Sequence, residues 1–173
     1  MTGVVEMEDV AAELIAQARE RLADIRRRMV TTLGRLSSDE LAWRPNAESN
    51  SAANLVVHVC GNLRQRFHAG FGGAADDRDR DAEFAEGTAA GRSASELSAM
   101  VEETFGLVDR FLSGLAPARL GETLVLQGRP QTLLEALLRT VGHSAEHLGE
   151  IIYIAKAQLG AGFETLSIPR PRP

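Results

Sequence analysis

The apolar residues of this chain recur at steps of three and four along four long segments, a period that is typical of packed α-helices. The first segment runs from about Met7 to Leu36. Steps of this size place the apolar side chains on one stripe of a helix, and that stripe must be buried against other helices. The residues of the first stripe are Leu14, Ala18, Leu22, Ile25, Met29, Leu33 and Leu36.

Two further helices are predicted from the same period and from residues typical of helix ends. The second helix covers about Ala52 to Ala69 and is followed by a glycine-rich run, Gly70 to Gly73, of the kind that stops helices. The third helix starts at Ser93, which has the capping-box spacing to Glu96, and Pro117 closes it.

The fourth predicted helix begins near Thr132, again with a glutamate three residues later, and runs to Leu159. Gly160 is expected to be its C-terminal stop. Before this helix, Thr123 to Leu126 is expected to be extended and Gly128-Arg129-Pro130 to form a turn. We expect no convincing sheet from so short an extended stretch.

The fold class expected is therefore all-α, an up-down four-helix bundle with long connections between helices two and three and between helices three and four. Residues 1–166 are expected to form a single domain, followed by a flexible proline-rich tail at 167–173. Ser38 is expected to start a short helical turn, and Trp43 is expected to cover one end of the core.

Charge and cysteine content narrow the classes of protein that fit. The chain of 173 residues has a formal net charge of −5, which argues against nucleic-acid binding because phosphate contacts need a basic face. No apolar run is long enough to span a bilayer, and the first ten residues contain no secretory signal. Cys60 is the single cysteine, so an internal disulfide is excluded. These features predict a cytoplasmic protein that binds neither nucleic acid nor membrane.

Two of the four histidines, His143 and His147, lie four residues apart in the last predicted helix. A step of four advances an α-helix by about 400°, so both imidazoles lie on one face, one turn apart. Two imidazoles at this spacing can bind one metal ion, as the paired histidines of zinc metalloproteases do. The pair lies on the flank of the apolar stripe of its helix.

His58, in the second predicted helix, also lies beside an apolar stripe, where a bundle forms a side-wall pocket. Three imidazoles with open coordination positions are typical of a catalytic metal site, whereas a structural zinc site uses four ligands, often cysteines. Cys60 is expected to point away from His58 and to be a small buried apolar residue. His68, beside the glycine run, is expected at the surface.

Glu146 and Glu150 lie on or near the histidine face of the last helix and are candidate catalytic residues that accept a proton. A solvated surface position is the alternative for both. The loop that ends at Arg92 alternates in charge and is expected to cross the bundle as a lid or rim. Candidate cationic contacts for an acidic cosubstrate are Arg64, Arg66, Arg78 and Arg80.

The two segments that carry the three histidines, AANLVVHVCGNLRQRF and LLRTVGHSAEHLGEIIYIAK, resemble the DinB/YfiT-like superfamily of metalloenzymes. The segments GNLRQRFHAGFGG and DRDRDAEF are similar to one bacterial branch of it, and the likeness covers nearly the whole chain. The resemblance implies a DinB-family four-helix bundle that binds one divalent metal ion through His58, His143 and His147. It implies nickel or zinc first, with iron, cobalt or manganese as further candidates, and a homodimer.

Characterised members of this superfamily use low-molecular-weight thiols such as bacillithiol or mycothiol. The resemblance therefore implies a thiol S-transferase, or a related transferase or hydrolase, acting on a small-molecule substrate. A divalent ion on three histidines lowers the pKa of a bound water or thiol. One alternative is a non-catalytic dimeric stress-response or binding protein whose metal site is vestigial or stabilising. Another is a partner-binding helical domain without metal, with ring nitrogens more than about 5 Å apart and unable to converge on one ion.

Overall fold

Four long helices and one short helix make up most of the structure, a computed structural model that describes residues 7–85, 91–126 and 128–166. Helices α1 and α3 each pack against both α4 and α5, so a shared core runs between all four long helices. The predicted four-helix bundle is confirmed, with its long connections after α3 and after α4. In chain order the helices are α1 (Met7–Leu33), α2 (Ser38–Ala42), α3 (Ala52–Leu63), α4 (Ala94–Ser113) and α5 (Leu133–Leu159).

Three predictions fall wholly or partly on residues outside these ranges. The structure does not describe the start of the chain at 1–6, the part of the charged loop at 86–90 or the proline-rich tail at 167–173. Within the described ranges, no helix has the length and apolar character that crossing a bilayer requires.

Side-chain caps set the starts of α4 and α5 where the sequence predicts them. Ser93 Oγ accepts a hydrogen bond from the Glu96 backbone N–H at 3.2 Å, and the Glu96 carboxylate accepts one from the Ser93 N–H at 2.8 Å. Thr132 Oγ1 accepts from the Glu135 N–H at 3.1 Å. Gly160, at φ 52°, follows the last residue of α5 as predicted, because this left-handed conformation favours glycine.

The first predicted helix is too long by three residues. Helix α1 ends at Leu33, and the chain then turns through bonds from Arg35 N–H to Thr32 O and from Leu36 N–H to Leu33 O, both 3.1 Å. Leu36 is still buried, because the turn folds it back onto the core. The predicted helical turn at Ser38 is confirmed as α2, but the prediction for Trp43 is wrong. Trp43 is 38% exposed, and Leu41 of α2 covers the end of the core instead.

The second predicted helix changes its hydrogen-bond pattern part-way along. It is α-helical over Ala52–Leu63 and π-helical over Arg64–Gly70, where the Phe71 N–H bonds to Arg66 O, five residues earlier, at 3.0 Å. The wider turn buries two consecutive side chains, because Phe67 enters the apolar core while Arg66 bonds to polar groups beside it. Apolar periodicity does not distinguish these two helix types.

A β-hairpin precedes α5, so the expectation of no sheet is wrong. Strand β1 (Thr123–Leu126) is extended as predicted, and it pairs antiparallel with β2 (Arg129–Thr132). Arg129 and Pro130 therefore lie in a strand, and Gly128, at φ 76°, directly precedes it. The buried Gln131 stabilises the hairpin by donating from Nε2 to Leu126 O at 3.2 Å.

Candidate metal centre

The three histidines predicted as ligands meet at one point between α3 and α5. One nitrogen from each of His58, His143 and His147 lies within 4.8 Å of the other two. The ring centroids are 5.1 Å apart for His58 and His143, 5.2 Å for His58 and His147, and 4.4 Å for His143 and His147. The rings therefore converge, which contradicts the expectation of the metal-free alternative. Donors bound to one ion lie at most about 4.2 Å apart, so small ring rotations suffice to close the set.

A buried carboxylate orients His58. The His58 Nδ1 lies 2.8 Å from Glu83 Oε2, and both residues are buried, with 7% and 5% of their surfaces exposed. Arg78 holds this carboxylate in a bidentate ion pair, donating from Nε to Oε1 at 2.7 Å and from Nη2 to Oε2 at 2.8 Å. A histidine whose Nδ1–H bonds to a carboxylate presents its Nε2 lone pair to a metal ion.

The loop that carries Glu83 is itself fixed to α3. Asn54 donates from Nδ2 to the Glu83 backbone carbonyl at 2.9 Å, and Glu83 lies in a 3₁₀ turn, Ala82–Phe84. The Phe84 ring packs against the His58 imidazole at a centroid distance of 4.9 Å. The described part of the charged loop is therefore a wall of the histidine cluster, consistent with the predicted rim.

The two glutamates predicted as catalytic residues lie on either side of the α5 histidines. Glu150 Oε2 is 2.6 Å from His147 Nδ1, so it orients this ring as Glu83 orients His58. Glu146 is exposed and lines a cavity of about 430 Å³ together with His58 and His143. A role in proton transfer stays a prediction for both glutamates.

Burial keeps two of the candidate ligands neutral. It lowers the pKa of His143 to about 4, and the neighbouring His147 and His58 act in the same direction. Burial also lowers the pKa of His58, although the hydrogen bond that His58 donates to Glu83 opposes that shift. Neutral imidazoles can bind a metal ion at pH 7 without first losing a proton.

The hydrogen-bond inventory of the cluster fits a bound divalent ion. His143 Nε2 is buried and has no hydrogen-bond partner among the described residues. The Nδ1 atoms of His58 and His147 are taken up by carboxylates, which leaves their Nε2 atoms as the donors. A buried imidazole nitrogen without a partner is costly unless something absent from the protein chain satisfies it, and a divalent metal ion would do so.

Glycine at position 61 is required by the close approach of Glu83. A Cβ atom at Gly61 would overlap Glu83 Oε1 and would lie 3.1 Å from Glu83 Cδ and 3.2 Å from Arg78 Nε. The Glu83 carboxylate is held in this position, because Arg78 and His58 both bind it. Gly61 therefore allows α3 and the loop to pack closely beside the three histidines.

Sequence reasoning did not single out Glu83 as a functional residue. The segment DRDRDAEF contains four acidic residues, and only the fold shows which of these carboxylates reaches His58. Cys60 is buried, as predicted, and His68 is exposed, as predicted, and lies outside the histidine cluster. Arg64 faces α4, where it pairs with Glu103 at 2.8 Å, away from the histidines.

Two comparisons with known proteins identify the family and support the fold. Residues 9–172 match a family described as protein of unknown function (DUF1572). The chain belongs to this family. The crystal structure of a DinB-like protein from Bacillus cereus ATCC 10987 is similar to it, with a TM-score of 0.62 at 15% sequence identity over 87% of this chain and 92% of that chain. No curated protein matches the sequence.

The DUF1572 family is DinB-like, which confirms the resemblance predicted from the histidine segments. At 15% identity the structural likeness concerns the fold alone. The three-histidine cluster in this chain is consistent with a metal site in a bundle of that type.

Proposed function

We propose that this DUF1572 protein is a divalent-metal-dependent enzyme that transfers a small-molecule thiol to an electrophilic substrate. The observation that supports it is the convergence of His58, His143 and His147, whose donor nitrogens lie within 4.8 Å of one another. Three neutral nitrogen ligands leave coordination positions open for a substrate, unlike the four-ligand set of a structural zinc site. Hydrolysis is the second reaction class that such a site supports.

The three histidines would hold the ion, and the ion would supply a Lewis acid that favours the deprotonated form of a thiol or water. Glu83 and Glu150 keep the His58 and His147 rings in one orientation. Arg78 neutralises the buried Glu83 carboxylate. Glu83 can therefore accept a hydrogen bond from His58 without leaving an uncompensated charge in the cavity wall. The cavity of about 430 Å³ lies within the size range of small-molecule sites.

Glu146 is the proposed proton acceptor, because it is exposed and lines the cavity beside His58 and His143. In the transfer, a bond forms between the thiol sulfur and the electrophilic carbon. The leaving group departs with its bonding electron pair, and the thiol proton goes to the Glu146 carboxylate. Glu150 already contacts His147, so we assign it to positioning.

Metal content tests the site directly. Untagged wild-type protein, His58→Ala and His68→Ala are purified in parallel and measured by elemental mass spectrometry. We expect about one equivalent of nickel, zinc or another divalent ion in the wild type and in His68→Ala, and none in His58→Ala, since His68 lies outside the cluster. Absence of metal from all three after reconstitution would sink the proposal.

Activity separates the enzyme from a non-catalytic protein with a stabilising metal. Cysteine or a bacillithiol-type thiol is supplied with an activated aryl chloride, and thioether formation is followed by absorbance. We expect Glu146→Gln to bind metal normally and to lose about 10²-fold or more in rate, as for removal of a general base. Metal-loaded wild type without transferase or hydrolase activity would favour the non-catalytic stress-response or binding protein.

The superfamily resemblance also carries proposals on assembly and location. We propose a homodimer in the cytoplasm, and light scattering of the purified protein tests the dimer. A mass equal to one chain of 18.6 kDa would contradict it.

A further inference from the structure

The cavity beside the histidines is lined by an unusual number of arginines. Besides His58 and His143, its wall of about 430 Å³ includes guanidinium groups from three separate parts of the chain. The π-helical segment contributes one, the charged loop contributes two, and α5 contributes one. These residues are Arg66, Arg78, Arg80 and Arg139.

The four arginines outnumber the carboxylates around them, which include Glu146 on the same cavity wall. Glu83 neutralises Arg78 within the wall. Among the described residues, Arg139 forms an ion pair with the half-exposed Glu135 at 3.9 Å. The Glu135 carboxylate also pairs with Arg129, the first residue of β2. Arg80 stacks over the Phe84 ring at 5.3 Å and has no ion pair within the described ranges.

Arg66 is the most informative of the four, because it is buried without a counter-charge. It is 6% exposed, and its hydrogen bonds go to two neutral side-chain oxygens, Asn62 Oδ1 and Gln131 Oε1, each at 3.1 Å. No carboxylate pairs with it in the part of the chain that the structure describes. A buried charge is costly unless an opposite charge compensates it, so the position favours an anion from outside the chain.

Electrostatics in the pocket support the same conclusion. Burial lowers the pKa of the Arg66 guanidinium, and the positive charges of Arg139, Arg78 and Arg129 lower it further, while the Glu135 carboxylate acts the other way. Like charges converge on this wall, and an oxyanion there would relieve their repulsion. Guanidinium groups suit this task, because their paired N–H donors match the oxygens of carboxylate and phosphate.

We propose that the cavity binds the carboxylate or phosphate group of a small anionic substrate, with Arg66 as its main contact and Arg139 at its rim. Asn62 and Gln131 hold the Arg66 side chain in place for this contact. The assignment of the anion to a substrate rests on the proposed function, since the reacting atoms would lie at the histidines of the same cavity. The anion site itself does not need the metal.

Anion binding to the metal-free protein tests the proposal. Inorganic phosphate and succinate are titrated separately at constant ionic strength and followed by isothermal titration calorimetry, with uncharged dimethyl succinate as a comparison. We expect both anions to bind the wild type and Arg66→Gln to bind them about tenfold more weakly or worse, the loss expected for a charged hydrogen-bond partner. Dimethyl succinate should not bind.

Two further variants make the test specific. Arg139→Gln changes a half-exposed side chain and keeps the test valid if Arg66→Gln does not fold; we expect about threefold weaker binding from it. Arg26→Gln is the control, because Arg26 of α1 pairs with Glu102 of α4, outside this cavity, and its removal changes the net charge equally. Its anion affinity should match the wild type.

Equal anion affinity in the wild type, Arg66→Gln and Arg139→Gln would overturn the proposal, as would tight binding of dimethyl succinate. A loss of stability in Arg66→Gln with unchanged anion affinity would show a purely structural arginine and would also overturn it. The metal content of the same samples keeps the two proposals separate. Metal without anion binding refutes only the anion site, whereas anion binding without any metal after reconstitution supports the anion site and refutes the enzyme.

Discussion

Gly61 and Glu83 show how one missing side chain shapes the histidine cluster. The Glu83 carboxylate occupies the space that a Cβ atom at position 61 would need, and it lies there because His58 and Arg78 bind it. A change at Gly61 therefore acts on the candidate metal ligand His58 through Glu83. Loss of such an outer contact typically weakens metal binding by about 10–100-fold.

We expect Gly61→Ala to weaken Zn²⁺ binding by about 10–100-fold, measured by competition with a chromophoric chelator. Gly106→Ala in α4 is the matched control, since its new Cβ would meet only Arg110 Nη1 at 3.5 Å, an ordinary contact. That variant should bind Zn²⁺ normally and gain about 0.5–1 kcal/mol in stability from better helix propensity. If Gly61→Ala acts through Glu83, adding it to the Glu83→Ala variant should weaken Zn²⁺ binding little further.

Cys60 illustrates how burial makes a thiol unreactive. Burial raises its pKa to about 12, although a hydrogen bond with the Thr104 side chain acts the other way, and its Sγ lies 3.8 Å from the Met100 carbonyl oxygen. Because the thiolate is the reactive form, the native protein at pH 8 should resist iodoacetamide for hours and react within minutes in guanidinium chloride. Mass spectrometry measures the labelling. Rapid labelling of the native protein, or loss of thiol transfer in Cys60→Ala, would contradict this account.

At the scale of elements, the loop after α3 and the π-helical segment determine what surrounds the histidines. The loop carries Glu83 to His58 and is anchored by Asn54. The π-helical turn buries Arg66 against the hairpin residue Gln131. The period of the apolar residues identifies neither element, yet both supply polar groups of the cavity, while the regular helices supply the three histidines.

Helix α4 begins at a side-chain cap, in which Ser93 Oγ accepts a hydrogen bond from the Glu96 backbone N–H. We expect Ser93→Ala to lower the free energy of unfolding by about 1 kcal/mol, since it removes this bond and the bond from Ser93 Oγ to the Glu96 carboxylate, while the backbone N–H of residue 93 still bonds to that carboxylate. For a chain of this size that corresponds to a fall in melting temperature of about 2–4 °C. Thr31→Ala, which removes an exposed hydroxyl bonded to a carbonyl of α1, serves as control and should change the stability by less than about 0.5 kcal/mol. A melting curve of Ser93→Ala that coincides with the wild type would refute the cap.

At the scale of the whole molecule, the histidine cluster joins α3 to α5, two helices that are distant in sequence. A metal ion there should stabilise the entire bundle, because the unfolded chain has no preformed site. At a free ion concentration of 100 times the Kd the gain is about 2.7 kcal/mol, or roughly 5–10 °C in melting temperature. Differential scanning calorimetry with Zn²⁺ and with a chelator measures it.

His143→Ala should lose this metal-dependent rise in melting temperature, whereas His68→Ala should keep it. Of these two residues, only His143 belongs to the cluster. The melting temperatures of the two variants in chelator should be compared with that of the wild type in chelator. A Zn²⁺ shift that survives in His143→Ala would place the bound ion elsewhere on the protein.

The sequence by itself determined the bundle and the three candidate metal ligands. Apolar steps of three and four require helices that bury one stripe, and Ser93, Thr132 and Gly160 act within one helical turn, so their effect is local. The spacing of His143 and His147 is also local, because helix geometry alone puts both rings on one face. With His58 on the flank of a second stripe, the three ligands follow from helix packing.

Tertiary structure decided everything that depends on contacts between distant segments. The contact of Glu83 with His58 joins residues 25 positions apart, and the bond of Arg66 to Gln131 joins residues 65 positions apart. In the charged loop several acidic residues are equivalent by sequence, and only the packing of the loop on α3 selects one of them. The exposure of Trp43 and the pairing of β1 with β2 have the same origin, because burial and strand pairing depend on neighbours that no local pattern specifies.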